Sequence, residues 1–128
     1  MSLKRLAAHV AEVSGWWKEC LLHIELDFAK WVYTPKVINS TKEIVALHDD
    51  LIEKARVILS EVNDEEFFKP WTMRTGDEIY FTMPKEAVVR TFCLNHLYHH
   101  RGQLTVYLRL LNIPFPGMYG PSADFPSM

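Results

Sequence analysis

Between Pro84 and Leu111 the chain carries a helical stripe with two imidazoles set into its apolar line. Val89, Phe92, Cys93, His96, His100, Gln103, Tyr107, Leu110 and Leu111 recur at spacings of three and four, which at about 100° per residue puts them on one face. Arg90, Arg101 and Arg109 fall away from that face. Pro84 suits the first turn, where its missing N–H would have no helical partner, and Asn112 and Pro114 end the run. Buried polar side chains cost on the order of 1–3 kcal/mol each unless paired. A core-facing line of His96, His100, Gln103 and Tyr107 therefore requires partners. Two readings follow: core histidines bonded to carbonyls or to Tyr107, or a bound metal ion. The spacing of His96 and His100 is that of a helical zinc motif, but Leu97 stands where the glutamate of His-Glu-x-x-His would be. A metalloprotease mechanism is not supported.

Two more helices are expected before this one. The first runs from about Ser2, a suitable N-cap, to Leu22 or slightly beyond, with Leu3, Leu6, Val10, Val13, Trp17, Cys20, Leu21 and Ile24 in phase. The second starts near Thr41, where Ser40-Thr41-Lys42-Glu43 matches a capping box, and buries Ile44, His48, Leu51, Ala55, Ile58 and Val62. Between the second and third helices, Thr72, Ile79, Tyr80, Phe81 and Thr82 favour strands and Thr75-Gly76-Asp77 favours a turn, so a short hairpin is expected within Trp71–Met83. The proline-containing tail from Ile113 onward is expected to pack as ordered coil. Three long helices joined by loops predict an all-α, up-down bundle in a single domain spanning residues 1–128. Three is an awkward count, because such bundles usually close with four. A preceding helix is expected to be absent from this chain.

A net charge of -2, without a Lys/Arg stripe, argues against a nucleic-acid partner. No apolar run approaches the ~20 residues of a membrane span, and the N-terminus enters an amphipathic pattern directly, without a secretory signal. The two cysteines, Cys20 and Cys93, sit at apolar helical positions and are read as reduced core thiols of a cytoplasmic protein, a single disulfide being left open.

A third ligand for the histidine pair must come from another helix. His48, central in the second stripe, is slightly favoured by geometry over His9, which lies at the edge of the first. His99 is read as an outer or interface residue, and His23 as solvated.

The segments Leu6-Ala7-Ala8-His9-Val10-Ala11-Glu12, Phe81-Thr82-Met83-Pro84, Asn95 to Leu104 with Val106 to Leu111, and Pro116 to Asp124 resemble the DinB (damage-inducible) superfamily across nearly the whole chain. The His-x-x-x-His-Arg-Gly-Gln block is the most specific part. The resemblance implies a four-helix bundle whose divalent metal is held by three histidines, which match His9, His96 and His100 here. It also implies a homodimer, and chemistry of the kind carried out by thiol-dependent transferases and isomerases that use low-molecular-weight thiols. The family's first helix has no counterpart, so the expected reading is a late start or a short form whose open apolar face is covered by dimerisation or helix exchange.

The expected function is a divalent-metal-dependent enzyme, a thiol-dependent transferase or hydrolase, with zinc, nickel, manganese or iron in an open three-histidine site. The alternative is a non-catalytic metal-binding or stress-response bundle that acts by association. Gln103 is a candidate to bond a metal-bound water or orient a ligand. Tyr107 is read as buried and structural, Arg101 as a surface or interface salt-bridge residue, Gly102 as room for a close helix approach, and Cys93 as core. The tail would cap the site mouth, with Asp124 a candidate contact behind the ligands.

Overall fold

The computed structural model describes residues 1–126. Helix α1, Leu3–Glu12, starts where the Ser2 side chain accepts the Arg5 N–H at 3.2 Å. The long first helix then narrows to a 3₁₀ turn over Val13–Gly15 before α2, Trp16–Leu22. Gly15, a weak helix former, lies in that break. Helix α3, Thr41–Glu61, opens on the expected cap: Ser40 Oγ accepts the Glu43 N–H at 3.2 Å, and the Glu43 carboxylate reaches back to the Asn39 N–H at 3.0 Å.

The expectation of an all-α bundle is wrong. Strands β1 (Glu25–Asp27), β2 (Pro70–Thr75) and β3 (Glu78–Pro84) form a mixed sheet in the order β1-β2-β3. The hairpin β2–β3 turns at Gly76, whose φ of 56° is the left-handed region glycine tolerates. What sequence reading missed is β1, which pairs parallel to β2 from Glu25 opposite Thr72 to Asp27 opposite Arg74. Three residues are too few to show an alternating pattern. The strand is fixed from a distance instead: Arg74 binds Glu25 with two nitrogens, at 3.0 and 2.8 Å, and the buried Asp27 accepts the Gly76 and Ala29 N–H groups at 2.9 and 3.0 Å. Ile24, placed in the first helical stripe, is instead exposed beyond the end of α2.

The third helical run is divided. Helix α4, Lys85–Val88, leads into a wide π-helical segment, Val89–Asn95, in which the His96 N–H reaches the Thr91 carbonyl five residues back. Helix α5, His96–Leu110, follows. The wide turns break the constant rotation assumed for one continuous stripe. Val89 and Cys93 are buried as expected, whereas Gln103, Tyr107, Leu110 and Leu111 are exposed, and Leu104 and Leu108 are half-buried in their place.

The main core joins α2, the sheet and the π segment through Cys20, Leu21, Leu26, Trp71, Met73, Val88, Val89 and Cys93. The buried Lys85 ammonium is satisfied by the Leu21 carbonyl at 2.7 Å and by Glu66 at 2.5 Å. A smaller cluster of Ala8, Ala11, Ile38 and Leu47 seats α1 on α3. Beside it, α1, α3 and α5 leave an open apolar groove of about 580 Å³, lined by Leu3, Val10, Ile44, His48, Leu104 and Leu108 among others. The tail is pinned along α5. The Arg101 guanidinium lies between the Tyr98 and Tyr119 rings, and Arg109 stands over Phe115 and pairs with Asp124 at 2.8 Å. No helix among the described residues is long and apolar enough to cross a membrane.

Candidate metal centre

Packing α1 against the start of α5 brings three imidazoles together. Ring centroids lie 5.1 Å apart for His9–His96, 4.6 Å for His9–His100 and 4.6 Å for His96–His100. Each ring offers one nitrogen within 4.8 Å of the other two. The Nε2 atoms of His9 and His96 face each other at 3.2 Å, although they are 87 residues apart in sequence.

The rings are oriented from outside. His100 Nδ1 donates to Gln103 Oε1 at 2.8 Å, which leaves its Nε2 as the free lone pair. His9 Nδ1 lies 3.8 Å from Glu12 Oε2. His96 Nδ1 is buried without a hydrogen bond of good geometry, and the ring packs edge-on to Trp16, which stacks on Phe92. Burial, followed by the positive charge His100 could carry, pushes the His9 and His96 imidazoles below the ordinary histidine range. The backbone at Phe92 opposes this shift at His96 only in part. The shift favours the neutral rings, whose lone pairs can then serve a metal.

The donor set fits a metal. Two nitrogens held at about 2.0–2.1 Å from one tetrahedral ion stand about 3.3–3.4 Å apart, close to the His9–His96 spacing. Without an ion, two neutral imidazoles turning Nε2 inward can satisfy each other with only one proton, and the third lone pair goes unused. Three imidazoles would fill three positions and leave at least one for a water or substrate.

The chain matches the DinB family over residues 1–127. It belongs to that family. Over 58 residues the DinB chain is 38% identical to the uncharacterized protein YrdA of Bacillus subtilis (strain 168), a match covering 42% of this chain and 34% of YrdA. The chain thus spans about a third of the length of that relative. No solved structure matches it.

Family membership and the three-histidine cluster are consistent with a metal-binding protein. The structure brings His9, and not His48, to the pair on α5. His48 lines the apolar groove, with Nδ1 3.3 Å from Asp49. His99 is exposed and packs edge-on to His100 at 4.8 Å, while His23 is exposed beside Glu19. Cys93 is core, its Sγ 3.9 Å from that of Cys20, and this contact together with burial pushes its thiol up.

Several expectations need correction. Tyr107 is exposed, because none of the described residues covers that side of α5. A side chain at Gly102 would meet nothing within 4 Å among the described residues, so no described helix approaches there. Arg101 is held by aromatic rings where a salt bridge was expected. Asp124 binds Arg109 and the Phe115 N–H and lies in the tail clasp, not behind the ligands. Sequence reading also missed Glu12, Arg5, Tyr33 and Trp16. Glu12 was visible in principle, three residues after His9. Tyr33 had no signal, because it arrives from a loop 21 residues further along.

Proposed function

We propose that this DinB chain is a divalent-metal protein whose ion is held by His9, His96 and His100, and that the site serves a thiol-dependent transfer or hydrolysis. The single observation that carries the reading is the pair of inward Nε2 atoms at 3.2 Å with His100 beside them. A bound ion would supply Lewis-acid activation of a water or thiol. The chain's own groups do the rest. Gln103 holds the His100 tautomer, and Trp16 and Phe92 shield the His96 side from water. Imidazole donors suit zinc, nickel, manganese and iron alike. The free thiols of Cys20 and Cys93 support a reducing, cytoplasmic setting.

Titration of the metal-stripped protein with zinc tests the reading by calorimetry. We expect one ion per chain and at least a hundredfold weaker binding in His96→Ala. Equal affinity in that variant would overturn it. With the ion bound, turnover of thiol conjugates then separates an enzyme from a binder.

A second reading, action by association, draws on the open apolar groove between α1, α3 and α5. A soluble monomer rarely leaves such a surface uncovered. We propose that a second copy of the chain covers it, forming a homodimer, with or without catalysis at the histidines.

A further inference from the structure

We propose that Glu12 is the positioning residue for His9: its carboxylate accepts a hydrogen bond from the Nδ1–H and thereby commits Nε2 to the metal. The inference rests on the metal reading above and adds a residue to it. On α1, Glu12 lies one turn after His9 and offers Oε2 at 3.8 Å from Nδ1, a gap that a small movement of the His9 ring would close. The same spacing recurs on α5, where Gln103, three residues after His100, accepts from its Nδ1 at 2.8 Å. Two of the three rings thus have an oxygen acceptor placed one turn further along their own helix. His96, with an unpartnered Nδ1, is the exception and relies on packing against Trp16.

Glu12 differs from Gln103 in carrying a charge and in being held from several sides. Oε2 accepts the Tyr33 hydroxyl at 2.6 Å and Arg5 Nη2 at 2.8 Å, and Oε1 accepts the Lys36 N–H at 3.4 Å. Arg5 also contacts the Tyr33 hydroxyl. The carboxylate is mostly enclosed, its side chain 13% exposed. A carboxylate fixed in this way keeps its direction when the adjacent ring moves, and it raises the basicity of the imidazole it accepts from. Three neutral imidazoles bring no charge of their own to a divalent ion, and Glu12 supplies a fixed negative charge beside one of them. Tyr33 and Lys36 belong to the segment between β1 and α3, so the same carboxylate secures that segment beside the histidines.

The test compares zinc affinity of the full chain and Glu12→Leu, which removes the acceptor, by competition with a chromophoric chelator, alongside the tautomer of His9 in the zinc-loaded, unaltered protein by long-range ¹H–¹⁵N correlation. We expect Glu12→Leu to bind zinc about tenfold or more weakly. We also expect His9 to carry its proton on Nδ1 with Nε2 on the metal. Zinc bound through Nδ1 of His9 would overturn the proposal even if the variant failed to fold. Undiminished affinity in a folded Glu12→Leu would overturn it while leaving the three-histidine reading intact. No zinc binding by the unaltered protein would remove both.

Discussion

His100 donates to Gln103 at 2.8 Å, and this contact tests how far one side chain can set an imidazole's direction. Replacing Gln103 by Leu removes the acceptor for Nδ1 and frees the ring to turn. Zinc affinity should fall about tenfold, while the exposed position of residue 103 leaves the thermal midpoint nearly unchanged, as calorimetry and a melting curve can check. The α5 half of this site was legible in the sequence, because His96, His100 and Gln103 lie within two helical turns and their relation follows from helix geometry alone. His9 was not chosen by periodicity: an edge position on one helix says nothing about which neighbour it meets, and His48 was slightly the better candidate on that ground. Long-range packing of α1 on α5 made the choice, and only the family resemblance carried that information in advance.

The π-helical segment Val89–Asn95 is the element on which the site turns. It sets the rotation of His96 and His100 relative to Val88 and Val89, which are anchored in the core. Deleting the exposed Thr91 lets the run return to ordinary helical bonding and turns α5 by about 100° against that anchor. Far-ultraviolet circular dichroism should stay helical while zinc binding weakens by more than tenfold. Helix caps were readable because Ser2, Ser40 and Glu43 act within four residues of themselves. The π turns were invisible because their hydrogen-bond shift leaves no composition mark. The parallel strand β1 escaped for the opposite reason, since its partner lies far along the chain. Asp27, which ties that strand to the hairpin turn, also sets a pH limit. Hydrogen bonds from the Gly76 and Ala29 N–H groups, with Lys30 and Arg74 nearby, hold its carboxyl below the usual range. Its contribution is therefore present above the unfolded carboxyl value of about 4 and is lost as pH falls through the lower folded value. Asp27→Asn should melt lower at pH 7 and lose part of the steep acid limb of the unfolding profile.

At the scale of the whole molecule, the uncovered groove between α1, α3 and α5 predicts the assembly state. Light scattering should report twice the 15.0 kDa chain mass, and Leu108→Glu, which places a charge in the groove, should shift it to the monomer mass. A monomer mass for the unaltered chain would remove the dimer reading without touching the histidines. The cluster itself has a mechanical side. An ion gripped by His9 and His96 would staple together points 87 residues apart, closing most of the polypeptide into one ring. In the chain-entropy treatment of cross-links, a ring that long removes about 4–5 kcal/mol of freedom from the unfolded ensemble, an upper bound for a bond that can dissociate. On that account a chelator would act on this protein as a selective denaturant, lowering its melting temperature without disturbing a single apolar contact.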